Sequence, residues 1–256
     1  MNPDSRFDGL INEALSKELV GWDFSWLAKR TEESPLPWDY REIVLNRMQE
    51  ATSLLDLGTG GGEFLASLEP LPPNTWATEG YLPNVNIARK RLEPLGVQVV
   101  DVYELGKALP FGDAAFDLVI DRHTGAYSHE IYRVLCAGGR YVTQQDGGEN
   151  CTDLNRFLQD KPYFRYADTT LAKEVGQLEA AGFRILDQRE AFPGLTFFDI
   201  TGVVFYLRAI SWQIEDFSVE KYRRKLFQIH KIIEKEGGFE VKEHRFMIEA
   251  VKGNNL

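Results

Sequence analysis

Cysteine is scarce: Cys136 and Cys151 are the two in 256 residues, with no CxxC and no Cys/His ligand spacing. A disulfide framework, a structural zinc and an iron–sulfur cluster are therefore poorly supported. Long apolar runs are missing as well. A membrane span needs roughly 18–20 continuous apolar residues, and the best candidate, Gly202 to Leu207, runs into Arg208. The opening Met1-Asn2-Pro3-Asp4-Ser5-Arg6 lacks the basic-then-apolar order of a signal peptide. Positive charge is in deficit: 29 Lys plus Arg against 39 Asp plus Glu give a formal net charge of −10. A broad nucleic-acid surface needs clustered cations to displace counterions, so the balance argues against nucleic acid as the partner. The expectation is a soluble, cytoplasmic protein with no membrane attachment and no bound metal. Internal repeats and low-complexity tracts are also absent.

What is present is the composition of an average globular protein, 43% hydrophobic and 27% charged. The length suffices for a seven-stranded α/β core without metals or disulfides. Short apolar runs at Ser53 to Leu57, Thr75 to Thr78, Val97 to Val100, Phe116 to Ile120 and Arg140 to Thr143 read as strands. Helical stretches such as Val85 to Leu92 and Ser128 to Leu135 lie between them, which predicts a parallel sheet covered on both faces. Leu171, Val175 and Leu178 place an apolar stripe on a later helix, with Asp168 as its expected N-cap and Gly182 beyond its end. Glu220 to Glu236 forms another helix, stopped by Gly237-Gly238. In Arg245 to Val251, Phe246, Ile248 and Ala250 alternate with the other face as in a strand.

Three segments break this rhythm: residues 1 to about 50, Gln144 to Ala167, and the aromatic-rich Ala191 to Phe217. The simplest organisation is a single domain over 1–256. Residues 1–50 form an N-terminal helical lid, 51–145 the ligand-binding core, and 146–256 the rest of the sheet with substrate-side insertions.

Asp56-Leu57-Gly58-Thr59-Gly60-Gly61-Gly62-Glu63 follows the first core strand and leads into a helix. Glycines there allow positive φ and close approach of a ligand. A dinucleotide fingerprint requires Gly-x-Gly-x-x-Gly, and here Glu63 stands where the last glycine belongs. A carboxylate at that helix entrance disfavours a pyrophosphate, so the loop suits a ligand that is not a polyanion.

Asp-x-Gly-x-Gly-x-Gly after a first strand resembles the S-adenosylmethionine site of class I methyltransferases. Further landmarks follow in order. They are Glu79 in Ala77-Thr78-Glu79-Gly80-Tyr81, and Asp101 in Val99-Val100-Asp101-Val102. Leu109-Pro110-Phe111-Gly112-Asp113 with Phe116-Asp117-Leu118-Val119 comes next, then Glu130-Ile131-Tyr132-Arg133-Val134-Leu135-Cys136-Ala137-Gly138-Gly139. The resemblance is close over roughly residues 50–145 and elsewhere rests on element order. It implies an α/β fold: a Rossmann-like open sheet, mostly parallel with an antiparallel final hairpin, helices on both faces.

The resemblance also implies the cofactor S-adenosyl-L-methionine and a set of contacts. Asp56, Gly58, Thr59, Gly60 and Gly62 would meet its methionine end. Glu79, with Gly80, would bind the ribose hydroxyls through a carboxylate that accepts two hydrogen bonds. Asp101 and Val102 would meet the adenine. Leu109 lies eight positions after Asp101, more than the family's usual spacing, so Tyr103 or Glu104 is an alternative. Arg122 is placed with the cofactor residues, its alternatives being an anionic acceptor or an ion pair with Asp121.

Ligands of open α/β sheets bind at strand C-termini, which points to Asp121-Arg122-His123-Thr124-Gly125-Ala126-Tyr127 for the chemistry. His123 is the candidate general base, with packing or hydrogen-bond donation as its alternative. After that strand there is no Asn/Asp-Pro-Pro-Tyr for adenine N-methylation and no Pro-Cys for a covalent cytosine mechanism. Asp121, Asp146 and Asn150 faintly resemble a metal-dependent catechol site. The aromatics Trp22, Phe24, Trp26, Trp38 and Tyr40 would stack on cofactor or substrate, or simply pack. Phe192, Phe197, Phe198, Phe205, Tyr206 and Trp212 suggest an apolar cover. The expected function is methyl transfer to a small-molecule acceptor. The alternatives are an RNA methyltransferase, suggested by Lys221-Tyr222-Arg223-Arg224-Lys225, and a non-catalytic S-adenosylmethionine-binding protein.

Overall fold

The computed structural model describes residues 3–19, 24–103, 108–125 and 127–253. Helix α1 (Pro3–Ser16), strand β1 (Thr31–Glu33) and helix α2 (Tyr40–Met48) come first. Then β2 (Ser53–Leu57), α3 (Glu63–Ala66), β3 (Asn74–Glu79), α4 (Leu82–Leu92) and β4 (Gln98–Asp101) alternate. They are followed by β5 (Phe116–Arg122), α5 (Ser128–Val134), β6 (Leu135–Asp146) and α6 (Thr152–Leu158). Next come α7 (Leu171–Ala180), β7 (Phe183–Ala191), β8 (Gly194–Phe197) and α8 (Ile200–Ala209). Helix α9 (Val219–Glu236), β9 (Phe239–Lys242) and β10 (Arg245–Lys252) close the chain. Among the described residues no helix is long and apolar enough to cross a membrane.

The chain divides into two compact units. The larger, built from Pro37–Asp146, Thr169–Ala191 and Arg245–Leu256, carries a seven-stranded sheet of order β4-β3-β2-β5-β6-β10-β7. Strands β4, β3, β2, β5 and β6 run parallel. β10 pairs antiparallel with both β6 and β7. This is the expected Rossmann-like α/β sheet, mostly parallel with an antiparallel last pair. That pair is opened by a long insertion, because the chain leaves after Ala191 and re-enters at Arg245.

Position in the sheet explains the strand sequences. Every residue of β2 is buried, as a central parallel strand requires. The expected alternation in the last strand holds for one face only: Phe246, Ile248 and Ala250 enter the apolar core. The opposite face is not solvated, since Met247 and Glu249 are also buried. Glu249 tolerates this because Arg47 donates to Oε2 at 2.9 Å and Arg140 to Oε1 at 2.6 Å. The cap of α7 also differs from expectation. Thr170, not Asp168, is its N-cap, accepting the Lys173 amide at 3.2 Å. Gly182 has φ +104°, as expected beyond that helix.

The smaller unit, Met1–Leu36, Gly147–Asp168 and Phe192–His244, holds a three-stranded antiparallel sheet of order β1-β8-β9. Its core joins Phe7 of α1, Leu154 of α6, Val204 of α8 and Leu226 and Ile229 of α9. Ser218 caps α9 and Gly237, at φ +85°, ends it. The aromatic stretch divides here: Phe197 and Phe205 are buried, while Phe192, Phe198 and Trp212 are exposed.

In the larger unit, two sequence landmarks hold each other. Glu130 of α5 accepts the Leu109 amide at 2.8 Å and the Arg133 guanidinium at 2.8 and 2.7 Å. Arg133 in turn donates to the carbonyls of Phe111 at 2.7 Å and Leu109 at 3.0 Å. The Leu-Pro-Phe segment is thereby fastened to the helix that follows β5. The Arg133 hydrogen bonds hold the Glu130 carboxyl down to about 2. A depressed acid stabilises the fold above its unfolded pKa, and that support disappears as pH falls through the folded value. Glu130→Gln is expected to lower stability at neutral pH by about 2 kcal/mol. Denaturant melts at pH 7 and pH 3 check this, the difference from wild type narrowing at the lower pH.

Candidate active site

The site begins where β2 ends. Gly58, Gly60 and Gly62 all have positive φ, at +63°, +63° and +81°, yet they are glycines for different reasons. A Cβ on Gly58 would fall 1.9 Å from Thr124 Oγ1, and one on Gly62 would fall 2.7 Å from Leu92 Cγ. At Gly60 nothing lies within 4 Å. Two glycines serve close packing, and the third leaves open space at the loop's crest, where a ligand can approach the backbone. The loop is held on both sides: Thr59 N–H donates to Thr78 O at 2.9 Å, and Thr124 Oγ1 donates to Leu57 O at 3.3 Å. Glu63 opens the short α3, but Arg91 pairs with it and also reaches the Gly61 carbonyl. The charge at that entrance is thus partly offset.

Acids gather at the same end of four adjacent parallel strands. Glu79 of β3 is in register with Asp101 of β4, and Leu57, next to Asp56, with Asp121 of β5. Asp56, Glu79 and Asp121 are 4%, 5% and 0% exposed. Glu79 Oε1 accepts the Tyr81 amide at 2.6 Å, and Asp101 Oδ1 the Tyr103 amide at 2.9 Å. Asp121 accepts the Thr124 amide at 3.2 Å and the Tyr141 hydroxyl at 3.1 Å. Burial pushes Asp121 and Glu79 above the usual carboxylate range. For Asp56, burial and the nearby Asp121 charge push the carboxyl up to about 7, against the Thr59 hydroxyl. That hydroxyl is itself buried without a hydrogen bond of good geometry, as is Asn84 Nδ2 beside Glu79. Buried donors and an open crest beside carboxylates fit a ligand with cationic and hydroxyl groups and no phosphate.

Beyond β5 the chain makes an unusual turn. His123 has φ +65°, a region few non-glycine residues occupy. Its amide donates to Gln144 O at 2.9 Å, and its Nδ1 lies 3.2 Å from Asp146 Oδ2. Arg122 stacks over the Phe64 ring with its Cζ 4.7 Å from the centroid. Phe64 in turn stacks on Tyr40. The Tyr40 hydroxyl donates to the carbonyls of Asp121 and Val142, and Trp38 Nε1 donates to Gln144 Oε1 at 2.9 Å. Tyr40 therefore braces β5 and β6, and Trp38 braces β6. Trp22 and Glu104 lie outside the described residues.

Sequence inspection missed two features. One is the pairing of His123 with Asp146, 23 residues apart and brought together by the parallel pairing of β5 with β6. The other is an open cleft of about 660 Å³ lined by Gly125, Tyr127, Ser128, His129, Glu174 and Gln177, among others. Burial raises the Glu174 carboxyl there. The available signal was an acid standing immediately beside Val175 of the apolar stripe on α7.

Known proteins resemble this chain in sequence over its core and in fold. The family described as "Methyltransferase domain" matches residues 55–143. A demethylmenaquinone methyltransferase of Thermus thermophilus is 34% identical over 116 residues, covering 42% of this chain and 53% of the relative. The chain thus matches about half the length of that curated relative. A Bacillus halodurans C-125 protein described as a candidate methyltransferase superposes with a TM-score of 0.59 at 20% identity. That match covers 84% of this chain and 99% of the other. The [4+2]-cyclase SpnF superposes at 0.53 and 16% identity, over 97% and 93%. At such identities the structural likeness establishes the fold, and a fold can host more than one chemistry.

The raised Asp56 has a consequence for stability. An acid whose folded pKa exceeds its unfolded one supports the fold fully below the unfolded value, and that support is lost as pH rises through the folded value. From pH 5 to pH 8, wild type should lose about 2 kcal/mol relative to Asp56→Asn. Urea melts at the two pH values test this; parallel curves for the two proteins would contradict it.

Proposed function

We propose that this chain, whose residues 55–143 match the methyltransferase-domain family, is an S-adenosylmethionine-dependent methyltransferase that transfers the cofactor's methyl group to a small-molecule acceptor. The observation that carries this reading is the row of strand-end carboxylates beside the open crest at Gly60. In this reading, Asp56, Gly58, Thr59, Gly60 and Gly62 hold the methionine end. Glu79 and Gly80 hold the ribose, Asp101 and Val102 the adenine. Arg122, stacked on Phe64, borders the cofactor. When bound, S-adenosylmethionine supplies a methyl group on a sulfonium. The chain's part is to orient the acceptor and, where the acceptor loses a proton, to take it, a role for His123.

Three observations support a small acceptor. The net charge is −10, and the cleft beside α5 and α7 has the volume of a small-ligand site. The basic stretch on α9 is also partly neutralised, Lys221 by Asp216 and Arg223 by Asp8. The relative from Thermus is named for demethylmenaquinone, so a naphthoquinol is the first acceptor to offer.

The test uses S-adenosylmethionine labelled in its methyl group, incubated with the protein and, separately, a naphthoquinol, a pool of small metabolites and total RNA. Label is expected in a small-molecule fraction, changing little between about 50 and 200 mM salt. Label in RNA that falls steeply over that range would favour the nucleic-acid alternative. Tight cofactor binding with no transfer to any pool would favour a non-catalytic binding protein.

A further inference from the structure

We propose that Asp146 is a positioning residue that fixes the tautomer of His123, leaving Nε2 as the nitrogen that accepts a proton from the methyl acceptor. The inference rests on the methyl-transfer reading for its purpose, and on geometry for its content. The carboxylate Oδ2 of Asp146 lies 3.2 Å from His123 Nδ1. An ionised carboxylate only accepts hydrogen bonds, so its approach to Nδ1 favours the form with the hydrogen on that nitrogen. The lone pair of the neutral ring is then on Nε2. A carboxylate that holds one ring nitrogen in this way also fixes the orientation of the imidazole.

The backbone supports a dedicated arrangement. His123 sits at φ +65°, and the surrounding structure holds it there from several sides. Its amide is tied to Gln144 O at 2.9 Å. Asp121 accepts the Thr124 amide at 3.2 Å, closing the turn from the far side. Arg245 of β10, in register with Asp146, pairs with Asp146 Oδ1 and so orients that carboxylate from its other oxygen. His123 is 30% exposed in its side chain, which leaves a path for its proton to return to water.

The proton balance is simple. Replacing the hydrogen of an acceptor X–H by a methyl group releases one proton per turnover. Nε2 takes that proton, the ring becomes imidazolium, Asp146 offsets the new charge, and solvent removes the proton afterwards. The charged group in contact with the ring is Asp146 on β6; Arg245 on β10 reaches it through that carboxylate, Arg122 lies over Phe64, and Asp121 holds the Thr124 amide.

NMR of the imidazole nitrogens in the 15N-labelled full chain tests the proposal, with His123 among the four histidines assigned by the signals lost in His123→Gln. Wild type is expected to show neutral His123 protonated on Nδ1. Asp146→Ala should move the proton to Nε2, the form free imidazole prefers, and Asp146→Glu should restore the Nδ1 form. A merely structural role would leave the tautomer unchanged in Asp146→Ala and would give Asp146→Glu nothing to restore. A wild-type Nε2–H tautomer, or an Asp146→Ala protein with a native melting curve whose His123 keeps the Nδ1–H form, overturns the inference. Calorimetry with S-adenosylhomocysteine on wild type separates the two readings. Binding with the wrong tautomer removes only the role of Asp146, whereas the expected tautomer without binding removes the methyltransferase reading.

Discussion

Like charges at neighbouring strand ends are the constraint from which the rest of the site follows. Asp56 and Asp121 are both buried, on strands paired so that Leu57 lies opposite Asp121. Burial, reinforced by their mutual repulsion, keeps Asp56 near its midpoint at neutral pH. Such an arrangement disfavours a polyanion and favours a ligand that brings positive charge and hydroxyl groups. The surrounding polar contacts work in the same direction: the Tyr141 hydroxyl and Thr124 amide stabilise Asp121, and the Tyr81 amide stabilises Glu79.

Mechanical coupling complements the electrostatics. Thr124 occupies the space a Gly58 side chain would need and bonds back to the Leu57 carbonyl. The glycine loop after β2 and the turn after β5 are therefore one packed unit. The turn that carries His123 is positioned against the loop expected to hold the cofactor, and a change at Gly58 would be felt at His123. Proximity of this kind is how a fold lowers a barrier when the cofactor supplies the reactivity.

Much of this was legible in the sequence because it rests on local signals. The glycine loop, the acids near the ends of β2, β3, β4 and β5, and the glycine stop of α9 each follow from short patterns in adjacent residues. Glu130 and Arg133 were visible as part of a motif, but their role in fastening Leu109 and Phe111 was not, because it depends on where a loop returns. The alternative cap at Asp168 was reasonable by residue type, yet Thr170 stands closer to the helix start and won. The burial of the second face of β10 was not legible in the same way, because Glu249 is accommodated by Arg47 and Arg140 from other segments. The assembly of residues 1–36, 147–168 and 192–244 into one compact unit arises from contacts between distant segments, which periodicity does not encode. His123 was singled out by position, while its partner Asp146 required the register of β5 on β6.

Competitive equilibrium dialysis addresses the central claim most directly. The protein is dialysed at neutral pH against S-adenosylhomocysteine and NAD+ together, at equal concentrations. A phosphate-free nucleoside with an ammonium group should accumulate with the protein while the pyrophosphate dinucleotide distributes evenly. Retention of NAD+ with S-adenosylhomocysteine ignored would contradict the account at its root.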